Sequence, residues 1–194
     1  MTRHSLLAAF LVFGGTSASA QVATELTPAA VQQAIADQKA DGCYPLKEAM
    51  SKWSWGGSHW GCFTTPYSRV VMAAQAARKR YKPFTTSDVT PELVAPGELH
   101  VYGWARKVEG SPRIDSVEAI VILPKKSKDP AQAIQPSNAE PITEEYKNLM
   151  GATLEGRSLK AVFPLTVLKE GYEVHFVYEG LGDKTAAWKL DKIK

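Results

Sequence analysis

Downstream of residue 27 the apolar positions recur at helical spacing, and past residue 97 they alternate. Thr27-Pro28 is a helix start, with Thr as N-cap and Pro in the first turn. Val31, Ala34 and Ile35 follow at 3–4 residue spacing, which predicts a helix over 28–40 that ends near Gly42. Leu46, Ala49 and Met50 suggest a short helical turn over 45–52. Thr65-Pro66 repeats the cap signal, and Val70, Val71, Ala74, Ala77 and Tyr81 predict the longest helix, 66–81, stopped by Pro83. Residues 53–63 lie between these helices, and their Gly and Ser positions predict a loop.

The pattern then changes. Residues 98–105, 116–123, 159–163, 172–179 and 185–190 read as strands. In the fourth, Val174, Phe176 and Tyr178 share one face. Residues 124–141 are rich in Lys, Pro, Ser, Gln and Asn and predict a long loop, followed by a short helix capped by Thr143. The expected fold class is α+β. A disulfide-tied helical part over 21–97 precedes a mainly antiparallel, sandwich-like part over 98–194. Leu99, Val101, Ile120, Ile122, Val162, Val174, Phe176 and Trp188 are its expected core.

Residues 1–20 read as a cleaved signal peptide. Arg3 supplies the positive end, Leu6–Phe13 is a short apolar run, and Ala18-Ser19-Ala20 is a small-x-small cleavage site. The run is too short to span a bilayer, which takes about 20 residues. No later segment is apolar enough to do so, and the expected product is an exported protein beginning at Gln21, periplasmic or extracellular. In such a compartment Cys43 and Cys62, the only two cysteines, are expected to form a disulfide. The chain carries 23 Lys and Arg against 20 Asp and Glu, a balance that argues against nucleic acid as a partner. The basic run Arg78, Lys79, Arg80 and Lys82 falls at a helix C-terminus, where it complements the helix dipole.

Candidate chemistry is sparse. The chain has no P-loop, dinucleotide fingerprint, nucleophile elbow or His-x-x-x-His pair, and no cofactor or metal is implied. His100 and His175 lie mid-strand, where each reads most simply as a single half-exposed residue. Three of the five tryptophans crowd into residues 53–60. Trp53, Trp55 and Trp60, with His59, form either an aromatic platform or a small core under the loop. The sequence therefore points to a non-enzymatic exported binding or envelope-associated module whose partner is an unknown ligand or envelope protein. The alternative is a small exported hydrolase with an unrecognised His/carboxylate site, using His59 or the His100/His175 pair.

Overall fold

The computed structural model of the chain describes residues 25–37, 42–46, 59–106, 116–147, 153–178 and 182–187. The two cap signals act as expected. Helix α1 spans Pro28–Ala36, and the Thr27 hydroxyl accepts the Ala30 N–H at 3.2 Å. Helix α2 spans Pro66–Lys79. At its start Ser68 N–H donates to the Thr65 hydroxyl at 3.3 Å, and Thr65 N–H donates to the Ser68 hydroxyl at 2.9 Å, a reciprocal capping box. Its end is a Schellman motif, with Tyr81 N–H bonded to Arg78 C=O and Lys82 N–H to Ala77 C=O. Tyr81 takes the left-handed position of that motif, at φ 56°. Ala34 of α1 packs with Tyr67, Val70 and Val71 of α2, and Phe84, Val89, Leu93 and Val94 close over this helical cluster.

The described residues hold eight strands, numbered in chain order: β1 (Tyr44–Pro45), β2 (His59–Thr64), β3 (Glu98–Arg106), β4 (Val117–Pro124), β5 (Asn138–Lys147), β6 (Thr153–Pro164), β7 (Tyr172–Tyr178) and β8 (Gly182–Ala187). They form two antiparallel sheets, one in the order β1-β2-β3-β6-β5 and the other β4-β7-β8. The protein is therefore α+β; the described residues hold two α-helices, two antiparallel sheets and a disulfide between Cys43 and Cys62 whose Cα atoms are 5.6 Å apart. Phe63, Leu99, Val101, Ala161 and Phe163 of the larger sheet join Ile120, Ile122, Val174, Phe176 and Tyr178 of the smaller one in a single apolar core.

Several local expectations give way to pairing between strands. His59–Thr64 is a strand, not loop, and pairs with β3 from His59↔Ala105 to Thr64↔His100. The glycine at 61 is not a turn signal. A Cβ there would lie 2.6 Å from Phe176 Cζ, so the strand needs glycine to let that ring approach. The helix expected after Thr143 is replaced by β5, because ten register pairs with β6 outweigh a local cap signal. Pro141 is tolerated there because β5 is the outermost strand of its sheet. Pro45, the first residue of the helical turn expected over 45–52, belongs to strand β1, and residues 47–52 lie outside the described residues. Val162, expected in the core, is buried on the other face, in the row of Thr64 and His100, while its neighbours Ala161 and Phe163 enter the core. Trp188 lies outside the described residues.

Candidate functional site

Of the aromatic segment expected to bind a ligand, Trp53 and Trp55 lie outside the described residues. His59 and Trp60 open strand β2, where their register partners are Ala105 and Trp104. On β3, the Tyr102 and Trp104 rings stack at 5.7 Å. Their face is opposite the core, since Val101, the residue before Tyr102, is fully buried in it. The disulfide joins Cys62 of this region to the residue before β1, and the Tyr44 ring beside it meets Phe63 at 5.3 Å.

His100 and His175 do not meet as a pair, because β3 and β7 belong to different sheets. Each has its own carboxylate two residues back on the same strand face. His100 Nε2 lies 3.0 Å from Glu98 Oε2. Burial, aided by Arg69 and Lys160, holds the His100 pKa below its ordinary value despite the Glu98 contact. Arg69 is itself buried, and its guanidinium donates to the carbonyls of Leu93, Ala95 and Glu98 at 3.0, 3.0 and 3.2 Å. That corner is a structural tie between α2 and the chain entering β3, with its polar groups spent on backbone.

The second Glu-x-His stands in a different setting. Val121 and Leu123 of β4 and Glu173 and His175 of β7 line a groove of about 600 Å³, a size suited to a small organic ligand. These four alternate with Ile120, Ile122, Val174 and Phe176, which face the core, so the groove lies on the outer face of the smaller sheet. Its wall is the segment that leaves β4 and returns beside it. Ile134 exchanges both backbone hydrogen bonds with Ile122, at 2.8 and 3.2 Å, and this sets Pro130, Ala133 and Gln135 along the groove.

The rim is a tight turn. Ser127 N–H donates to Pro124 C=O at 2.9 Å, which puts Lys126 in the third turn position at φ 67°. The Lys126 N–H donates to Glu173 Oε1 at 2.9 Å, and the same oxygen lies 3.7 Å from His175 Nε2. Glu173 therefore fixes the turn to the sheet and sits against the imidazole at once. The Ser127 hydroxyl is committed to the loop: it donates to Gln132 Oε1 at 3.0 Å and accepts from Asp129 N–H at 3.2 Å. It is not set up as a nucleophile, which needs a base as its hydrogen-bond partner.

Among the described residues no group of three or more His, Cys, Asp or Glu could hold a metal ion. No helix among them is long and apolar enough to cross a membrane. No family model matches the chain, and neither a curated protein nor a solved structure is similar to it.

Sequence reading passed over Lys126, Lys128 and Glu173 because they fall in what looks like an ordinary polar loop and an ordinary strand. The signals were a Lys-Lys turn directly after Pro124 and a Glu two residues before a mid-strand His, which places both side chains on one face.

Proposed function

We propose that this protein is an exported, non-enzymatic binding module, and that the groove on the outer face of the β4-β7-β8 sheet holds its ligand. The export part rests on the signal-like residues 1–20, with the disulfide as support. We read the two sheets, which share one core, as a sandwich-like body carrying the site. The observation that carries the binding part is the groove itself: an apolar floor of Val121 and Leu123 joined to the polar contact between Glu173 and His175. A few oriented polar groups in an apolar concavity are the usual makeup of a small-molecule site. The Trp53–Trp60 segment remains in this reading as a second recognition element toward an envelope partner.

The rival reading, a small exported hydrolase, has one feature in its favour. His175 beside Glu173 resembles a base with an orienting carboxylate. The commitment of Ser127 to Gln132 and Asp129 favours binding over hydrolysis.

Fluorescence titration with N-phenylnaphthylamine, a neutral apolar compound that brightens when it leaves water, tests the groove. The exported protein should bind it saturably at one site. Ala133→Trp, which fills the groove from its wall, should abolish binding with the circular dichroism unchanged. Equal binding by the filled variant would overturn the proposal. Terminal sequencing of the exported protein should begin at Gln21, and an intact Met1 would remove the export part.

A further inference from the structure

We infer that the groove takes an organic anion, an apolar body of small-molecule size bearing a carboxylate, sulfonate or phosphate. This rests on the groove being a ligand site, as proposed above.

The first support is a charge imbalance at the rim. Lys126 and Lys128 both line the groove and are exposed. Neither ammonium forms an ion pair among the described residues. The carboxylates nearest in the chain and on the floor are already occupied. Glu173 accepts the Lys126 N–H and sits beside His175. Asp129 accepts the Ala131 N–H at 2.9 Å and caps a short helical turn. Two cations therefore overlook a groove lined by one carboxylate, Glu173, which is turned to the Lys126 N–H and to His175. Within a partly enclosed site such charges act through less water than on open surface, and they attract an anion more strongly.

The second support is independent of charge and lies in the backbone. The third position of the 124–127 turn, at φ 67°, belongs by sterics to glycine or asparagine. Lysine stands there instead, in a conformation unfavourable to any residue with a Cβ. Nothing in the turn requires the long side chain, since it is the backbone N–H of Lys126 that donates to Glu173. Strain of this kind collects where a side chain is wanted for recognition. The anion's head would meet Lys126 and Lys128, and its body would lie on Val121 and Leu123.

A matched pair of compounds separates the anion from the apolar body. Anilinonaphthalene sulfonate is N-phenylnaphthylamine with a sulfonate added. At low salt the exported protein should bind the sulfonate about tenfold more tightly, the return expected from charge-assisted hydrogen bonds. The preference should shrink as salt is added. In the Lys126→Gly, Lys128→Gln double variant the preference should vanish, the two compounds then binding with equal affinity. Glycine suits the turn, so that variant has no reason to misfold. Equal affinity for the two compounds in the parent protein, or a preference that survives in the double variant, would overturn the inference and leave the groove reading standing. Binding of neither compound would overturn both.

Discussion

The ring of Phe176 occupies the space that a side chain on Gly103 would need: a Cβ there would stand 2.8 Å from Phe176 Cδ1 and 3.3 Å from Val117 Cγ1. Phe176 also lies over Gly61, so one ring from the smaller sheet presses on glycines of two adjacent strands of the larger one. The shared core has no spare room at this point. Gly103→Ala should destabilise the protein by about 1–3 kcal/mol, the usual cost of overpacking a full core. Urea denaturation of the variant and its parent measures it, and an unchanged midpoint would mean that the ring has room to move.

Arg69 offers a second stability test. Its buried guanidinium serves three backbone carbonyls spread over residues 93–98. Burial lowers its pKa, while Glu98 and Tyr102 act in the other direction. A lysine cannot span three acceptors with one ammonium. Arg69→Lys should cost about 2–4 kcal/mol, since partly buried carbonyls lose their donor. Thermal unfolding would show it, and a loss below about 0.5 kcal/mol would contradict the role given to this side chain.

Tyr81 makes the opposite kind of prediction. It is 98% exposed and sits at φ 56° in the Schellman motif that ends α2, a position that glycine fills without strain. Tyr81→Gly should stabilise the protein by up to about 1 kcal/mol. A destabilised variant would show that the ring makes contacts that count in the folded state.

The pH dependence follows from His100. Its folded pKa is lowered below 6.5, chiefly by burial, with Arg69 and Lys160 acting the same way and Glu98 opposing. The unfolded chain therefore takes up a proton near pH 6.5 that the folded chain resists. Stability should be intact above that pH and fall as the pH drops below it, toward the lowered folded value. His100→Gln should flatten this part of the stability–pH curve. An identical slope in parent and variant would contradict the assignment.

Much of the fold was legible because its signals are local. Thr27-Pro28 and Thr65-Pro66 mark helix starts by hydrogen-bonding chemistry confined to a few residues, and the alternation in 172–178 sets a buried face whatever lies opposite. The failures are where a partner strand decides. Gly61 reads as loop until Phe176 is seen beside it. Thr143-Glu144-Glu145 reads as a helix start until β6 is there to pair with it. The groove was illegible for the same reason. Glu173 lies 47 positions beyond Lys126 in the chain, and only the β4–β7 register brings Glu173 and His175 to the turn.

The most direct test of the central claim, that the groove beside Glu173 and His175 is the binding site, is an amide-resolved NMR titration of the exported protein with anilinonaphthalene sulfonate. The account predicts shifts concentrated on Val121, Leu123, Ser127, Gln135 and His175, saturating together. Shifts gathered instead around Tyr102 and Trp104 on the larger sheet, or spread without focus over both sheets, would contradict it.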